Sequence, residues 1–359
     1  MSLMLTAASS TPVKAVSHIG HLVLSPAVSG SLLLAFVFAP EEKKLELLRS
    51  LRVPASVDLE LVKKGLQVLL GVGLVRFLNS ALSSCALNGW RLTKPGNWQW
   101  DKEIAVVTGG CSGIGKCTVE RLVKRGVRVA VLDVQDAPKS FHGNERIRFY
   151  KCDITDPKSV ADAADCLRED FGHPSILINN AGITKPFAIL DMPMDVIRKI
   201  FEVNCFAHWT TVQEFVPRMI QLNKGHVVTV ASLAGHASIA KAADYCASKS
   251  AAIAFHEVLG AELRTFHGAD GVMTSVVNPN FVNTPFLQAV EGFEKMQDQI
   301  PMLTPEQVAD SVTKQVFSRS AGEVIVPAHL ASITGFRGWP HWMQILVRDA
   351  MGKAAASIK

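Results

Sequence analysis

Two side chains in the run Tyr245-Cys246-Ala247-Ser248-Lys249 have the types and the spacing for acid–base chemistry. Four positions apart in a helical run, a phenol and an ammonium lie on one face about a turn apart. A cation so placed favours the phenolate and is expected to lower the tyrosine pKa by about 1 to 3 units, toward useful proton transfer at neutral pH. Ser232 ends the apolar run HVVTVAS, thirteen positions earlier, where its hydroxyl would hold a substrate oxygen. Taken singly, each residue has an ordinary explanation. Tyr-x-x-x-Lys arises by chance on helices, a serine at a strand end is commonly a cap, and Asn204 within a helix would satisfy a buried carbonyl.

The elements that must position these groups begin at Ile104. Short β-rich runs, IAVVT, RVAVLD, IRFYKCD, SILINN, HVVTVAS, VMTSVVN and EVIVP, alternate with amphipathic segments. Continuous apolar strands separated by helices predict a parallel sheet buried on both faces, a doubly wound, Rossmann-like α/β domain. The first strand runs into TGGCSGIG, residues 108 to 115, whose glycines are spaced G-x-x-x-G-x-G, and a helical run opens there and stops at Gly126. A strand, a glycine loop and a helix in that order suit a dinucleotide. Gly109 permits the tight turn, Gly113 lets backbone approach a pyrophosphate, and Gly115 allows close helix packing, while the helix N-terminus offers N–H donors. Asp133 ends the second strand, 18 residues beyond Gly115, where a carboxylate accepts hydrogen bonds from ribose hydroxyls and repels a 2′-phosphate. NAD is therefore expected ahead of NADP, with Lys116 and Arg128 near enough in sequence to blunt the preference. A turn carboxylate in water is the plainer account of Asp133.

In that order, Thr108-Gly109-x-x-x-Gly113-x-Gly115, Asn179-Asn180-Ala181-Gly182, Ser232 and Tyr245-x-x-x-Lys249 resemble the short-chain dehydrogenase/reductase family over roughly residues 102 to 327. The resemblance implies reversible hydride transfer between nicotinamide C4 and a carbinol or carbonyl carbon, with proton transfer through Tyr245 and no metal. It implies that Lys249 lowers the tyrosine pKa and binds the nicotinamide ribose, that Ser232 orients the reacting oxygen, and that Asn204 supports a water-linked proton relay. The cofactor is then expected against Thr108, Gly109, Ser112, Gly113, Ile114, Gly115, Asp133, Asp153, Ile154, Asn180, Ala181, Gly182, Tyr245, Lys249, Pro279 and Thr284. Asp153 matches the acidic adenine contact, Asn179 to Gly182 brace the central sheet, and Thr284 matches the carboxamide partner. One departure stands out: where the family has Pro-Gly after the sixth strand, this chain reads Asn278-Pro279-Asn280, and asparagine takes left-handed backbone less freely than glycine.

Composition bounds the rest. The net charge of +5 from 37 basic and 32 acidic residues, without a Lys/Arg block, gives no support to nucleic-acid binding. Seven scattered cysteines, none in C-x-x-C, read as reduced thiols rather than a disulfide framework or a zinc site. Residues 1–97 are expected to anchor the chain to a membrane, 98–330 to form the catalytic domain, and 331–359 to form an amphipathic tail. Residues 22–40 carry no charge over 19 positions, close to the ~20 a spanning helix needs, although Pro26 weakens the pattern. A signal peptide and a buried core helix are the alternatives. Residues 65–82 hold three glycines and Arg76 and suit an interfacial or partly inserted helix better than a second span. Six Lys/Arg in 41–64 against Lys14 alone before the first run place that linker, and the catalytic domain, in the cytoplasm if the second stretch does not span. Trp90, Trp98 and Trp100 suit the headgroup level, or ordinary packing.

Phe286, Leu287, Phe293, Met296 and Met302, after Thr284, are placed either to line an apolar pocket or to form a lid packed on its own domain. In the tail, Trp339, Trp342, Met343, Ile345 and Leu346 lie near Arg337, Arg348 and Lys353, which suits a membrane surface or a dimer contact. This layout resembles the membrane-associated retinol and 17β-hydroxysteroid dehydrogenase type. It implies a retinoid, steroid or other lipid alcohol or ketone as substrate, an endoplasmic reticulum or lipid-droplet location, and a homodimer as the candidate assembly. Two alternatives remain: an NADPH-dependent reductase of a ketosphingoid or acyl-dihydroxyacetone-type ketone, and a non-catalytic membrane or lipid-droplet scaffold.

Overall fold

A computed structural model describes residues 24–50, 54, 57–91, 97–288, 290 and 292–357. The described chain divides into two compact units, one ending at Leu87 and one beginning at Asn88.

The first unit is helical: α1 (Pro26–Phe38), α2 (Glu41–Ser50) and α3 (Leu59–Leu87). Pro26 opens α1 at its first turn, where a missing N–H costs nothing, and Ala39, extended before Pro40, closes it. The 13 residues that remain reach only ~20 Å, short of a ~30 Å hydrocarbon core. Among the described residues it is instead the second apolar stretch, absorbed into the 29-residue α3, that is by length and composition long and apolar enough to cross a membrane, at ~44 Å. One of its glycines serves packing within the unit, since a Cβ at Gly73 would sit 2.5 Å from the carbonyl oxygen of Leu24, whereas Gly65 and Gly71 face open space. With α3 as the long helix, the charge count across the first run no longer orients the chain. Lys14, Arg52 and residues 22–23, on which parts of that reading fell, lie outside the described residues.

The second unit holds β1 (Ile104–Thr108), α4 (Gly113–Lys124), β2 (Arg128–Asp133), β3 (Ile147–Lys151), α5 (Pro157–Asp170), β4 (Ile176–Asn179), α6 (Met194–Phe201) and α7 (Ala207–Gln221). It continues through β5 (Gly225–Val230), α8 (Ala243–Thr265), β6 (Val272–Pro279), the short α9 (Pro285–Gln288) and α10 (Phe293–Gln299), α11 (Pro305–Ser318), β7 (Gly322–Val326) and α12 (His341–Ser357). The seven strands form one parallel sheet in the order β3-β2-β1-β4-β5-β6-β7. Strand alternation divides the core into two layers. Ala105 and Val107 of β1 join Val119 and Leu122 of α4 and Val308, Val312 and Val316 of α11, whereas Val106 faces Leu167 of α5, Phe215 of α7 and Leu263 of α8. The predicted doubly wound α/β domain is therefore present. Its order reverses between β1 and β4, and in such sheets ligands bind at the carboxyl ends of the strands beside that reversal.

Trp98 and Trp100 take the packing alternative. Trp98 is buried in the layer under α11, 5.3 Å from Trp100, which meets Phe317 edge-on at 4.8 Å. Lys224 lies over the Trp98 ring and pairs at 2.6 Å with buried Glu103, which also accepts hydrogen bonds from Gln99 and Ser175. Trp90 stays exposed.

Candidate functional site

The glycine loop and the loop after β4 are stitched together at the strand-order reversal. Thr108 Oγ1 accepts from the amides of Asn180 (3.0 Å) and Ala181 (3.1 Å), and Asn180 Nδ2 donates back to the carbonyls of Thr108 and Gly109. Gly109 is left-handed (φ +63), and a Cβ on it would lie 2.9 Å from Ala181 Cα. A Cβ at Gly115 would fall 2.1 Å from the Gly109 carbonyl oxygen, so this glycine closes the loop on itself as well as packing its helix. Gly113, also left-handed, faces the Thr284 methyl, which brings the loop after β6 to the same place. Ser112 stands at the N-cap of α4 without a side-chain capping bond, which leaves first-turn N–H groups for an anion. Ile114 packs into the adjoining core layer.

Asp133 lies at the same edge, only 7% exposed, and accepts from the Cys111 amide (2.9 Å) and the Gln135 amide (2.9 Å). It is thus no turn carboxylate in water: it holds the glycine loop and keeps lone-pair directions for a ligand. Burial and this carboxylate push the Cys111 thiol up to about 12, so it is inert. The expected blunting by Arg128 is corrected. Arg128 begins β2 where Asp133 ends it, and its guanidinium bonds the Lys102 carbonyl and covers Phe171. Lys116 faces Glu120 at 3.8 Å. Beyond β3, Asp153 accepts from the Thr155 amide and hydroxyl and lies 3.6 Å from Lys199, with its carboxyl held below the usual range chiefly by Thr155; Ile154 is buried beneath it. These residues fit a dinucleotide: a cradle that a Cβ would fill, first-turn amides for phosphate, and a carboxylate for ribose.

At the other end of this edge, α8 presents Tyr245 and Lys249 on one side, with Lys249 Nζ 5.9 Å from the phenol ring centroid. Lys249 is 4% exposed and donates to the Val230 carbonyl at 2.9 Å; desolvation of the cation brings it down to about 8. The expected lowering of Tyr245 is overturned. Burial of the phenol pushes it up to about 12, outweighing the Ser232 hydroxyl, the one neighbour that pulls it down. Ser232 both caps the turn Leu233–Gly235, accepting from the Ala234 amide at 3.1 Å, and stands beside the phenol. Its hydroxyl lies 3.4 Å from the carbonyl of Pro279.

Asn204 lies in a π-helical turn, Glu202–Phe206, between α6 and α7. Its side chain accepts from the Ile183 amide (2.8 Å) and donates to the Ile183 carbonyl (2.9 Å) and Ser248 Oγ (3.1 Å), so the side chain acts as a brace. Gly182 lies between, where a Cβ would be 3.4 Å from Asn204 Oδ1 and 3.5 Å from Lys249 Nζ. Asn280 is not left-handed, which settles the backbone question raised by the missing glycine; Asn278 instead donates to Glu323 of β7 at 2.7 Å. The residues not singled out from sequence are Ser248, whose signal was its place inside the Tyr-Lys run, and the Val230 and Ile183 main chain, which leave no residue-type signal.

A doubly wound sheet carrying this cradle and this acid–base face defines a dinucleotide-dependent class of protein. The family model for short chain dehydrogenases matches residues 103–295. Dehydrogenase RED2 of Cochliobolus heterostrophus is 40% identical over 200 residues, covering 56% of this chain and 75% of its own. Estradiol 17-beta-dehydrogenase 11 of Rattus norvegicus is 33% identical over 238 residues, covering 65% and 78%. Retinol dehydrogenase 10-A of Danio rerio is 30% identical over 233 residues, covering 57% and 68%. A crystal structure of a short chain dehydrogenase/reductase from Burkholderia phymatum in complex with NAD superposes with a TM-score of 0.59 at 25% identity, over 66% of this chain and 93% of that one. The chain belongs to the short-chain dehydrogenase family and is an NAD(P)-dependent oxidoreductase.

Proposed function

We propose that this chain is a membrane-associated oxidoreductase that interconverts a hydrophobic alcohol and its ketone or aldehyde, the substrate being a retinoid, a steroid or another lipid. The observation that carries the substrate class is Phe286, whose ring centroid lies 5.8 Å from that of Tyr245, so an apolar ring stands beside the proton-transfer group. A cavity of about 400 Å³ in the same post-β6 region has a mixed lining, with Asn283, Gln297, Asp298 and Thr304 beside Ile300, Pro301, Met302 and Leu303. The estradiol and retinol dehydrogenases among the relatives act on substrates of that kind by name. Membrane association is supported by α3, whose apolar stretch is only 6% buried, and by Trp342, Ile345 and Leu346 exposed on α12. Phe206, Trp209 and Val258, exposed on the π turn, α7 and α8, offer a face on which two copies would pair.

In this reading Ser232 holds the substrate oxygen and Tyr245 exchanges a proton with it. Lys249, fixed by Val230, keeps a cation beside the phenol and the ribose position, while Asn204 and Gly182 hold the intervening backbone. The nicotinamide, when bound, supplies or takes the hydride. Asp133 selects NAD over NADP, Asp153 and Ile154 edge the adenine side, and Thr284 with Pro279 closes the nicotinamide side.

The test is turnover on a panel of retinols, hydroxysteroids, long-chain alcohols and the corresponding carbonyls with both cofactors. NADH or NAD formation that Tyr245→Phe abolishes is the expected result. Silence of wild type and variant alike, with membrane binding retained, would leave a scaffold as the function.

A further inference from the structure

The catalytic turn and helix are clasped from the C-terminal segment. Gly235, the last residue of the turn that Ser232 caps, packs flat on α8: a Cβ there would lie 3.1 Å from the Lys249 carbonyl and 2.6 Å from Ile253. The Gly235 carbonyl accepts from Ser250 Oγ at 2.6 Å, and Ser250 is the residue after Lys249. One terminal guanidinium nitrogen of Arg337 then donates to both, to the Gly235 carbonyl at 3.1 Å and to Ser250 Oγ at 2.9 Å. That nitrogen has two N–H groups and uses one on each side of the joint.

Arg337 is itself held. The buried amide of Gln344 donates to the carbonyls of Arg337 (3.1 Å) and Trp339 (2.7 Å), and Arg348 bonds Gln344 Oε1 while lying over Phe336. Gly352, further along α12, approaches Ala240 in the loop that leads into Tyr245. The family match ends at residue 295, so the clasp comes from chain beyond it.

We propose that Arg337 is a positioning residue that fixes Ser232 against the Tyr245–Lys249 face, making the C-terminal segment part of the catalytic apparatus; this rests on the function proposed above. An exposed guanidinium contributes little to global stability, but a reacting group displaced by about 1 Å costs up to a hundredfold in rate. The consequence of losing the clasp therefore falls on kcat rather than on folding.

Full-length Arg337→Ala and wild type are compared on a substrate that the panel identifies. The expected result is a kcat about tenfold lower with KM for NAD within about twofold, and partial recovery in Arg337→Lys. Adding Ser250→Ala to Arg337→Ala removes the direct Ser250–Gly235 bond as well, and the combined loss is expected to fall well short of the product of the two single losses, because both side chains act on one joint. An unchanged kcat, or two losses that multiply, overturns the proposal. Hydrogen exchange at the amides of residues 235–237 is read on the same proteins and is expected to quicken in Arg337→Ala while β5 and β6 stay protected. That readout needs no turnover. If wild type is silent on every substrate, the proposed function falls, and unchanged exchange in the variant is then what removes the clasp.

Discussion

In the proposed reading Asp133 meets two demands with one carboxylate: it holds the Cys111 amide and would repel a 2′-phosphate. Removing the charge and removing the acceptor are therefore separable. Asp133→Asn keeps an oxygen for the Cys111 amide and drops the repulsion, so NADPH use relative to NADH should rise about tenfold, the equivalent of ~1.4 kcal/mol. Asp133→Ala loses both, and a hydrogen bond to a charged acceptor is worth about 1.5–3 kcal/mol, so its use of either cofactor should drop. Steady-state kcat/KM with both cofactors checks this, and a wild type that already prefers NADPH contradicts the selective role. The tyrosine makes a second prediction. With Tyr245 near 12 and Lys249 near 8, kcat/KM for alcohol oxidation should climb from pH 7 to 10 without a plateau, while carbonyl reduction should weaken as Lys249 loses its proton near pH 8. A plateau in oxidation below pH 8 would mean that the phenol is acidic in the free enzyme after all. At this scale the sequence carried the residue types and their order, because Tyr245, Lys249, Ser232 and the glycines are chemically distinctive. It did not carry the sign of the Tyr245 shift, which depends on burial produced by segments far away in the chain.

The elements were legible where period and punctuation agree. Continuous apolar strands between helices announced the parallel sheet, and Pro157 after Asp156 and Pro305 after Thr304 mark helix starts that the structure caps through those side chains. In the N-terminal unit Pro26 does more than weaken the uncharged run: with Pro40 it cuts α1 to 13 residues, while Arg76 and three glycines do not interrupt α3. Burial between elements was invisible as well, and it has a consequence for pH. His226 of β5, His208 of α7 and His256 of α8 are buried against the sheet, where desolvation pulls them down to about 3, 3 and 4 from 6.5. His226 bonds Ser275 at 2.8 Å and His256 lies 3.2 Å from Thr229. A base whose folded pKa is depressed binds fewer protons folded than unfolded, so stability is full above about 6.5 and declines as pH falls toward 4. The urea midpoint of the catalytic unit should accordingly fall between pH 6.5 and 4.5, a window mostly above carboxylate titration, and His226→Gln should flatten the decline. A midpoint constant across that window would show that these imidazoles accept protons without loss.

At the scale of the whole chain, the division at Asn88 says where the two units can be parted. Chain before the sheet is already committed to the catalytic unit: Asn88 Oδ1 accepts from the Ala321 amide at 2.8 Å, Arg91 lies 3.6 Å from Asp270, and Trp98 is in the core. A cut before Asn88 removes α1 to α3 and leaves those contacts, whereas a cut after residue 97 gives up the first two. Each lost contact is worth ~1 kcal/mol or less, a tolerable share of a domain stability of roughly 5–15 kcal/mol. The two truncations should therefore both fold and bind NAD, with the longer deletion melting a few degrees lower. Membrane partition separates the contributions of the two ends. If α3 is the anchor, the intact chain pellets with membranes and resists salt extraction, and deletion of residues 1–87 shifts most of the protein to the supernatant. Whatever remains bound then reports on Trp342, Ile345 and Leu346 of α12, and Trp342→Glu with Leu346→Glu in the truncated chain should release it. Recovery of the intact chain in the soluble fraction would remove α3 as an anchor. Equal pelleting of the intact and truncated chains would move the membrane contact to the catalytic unit alone.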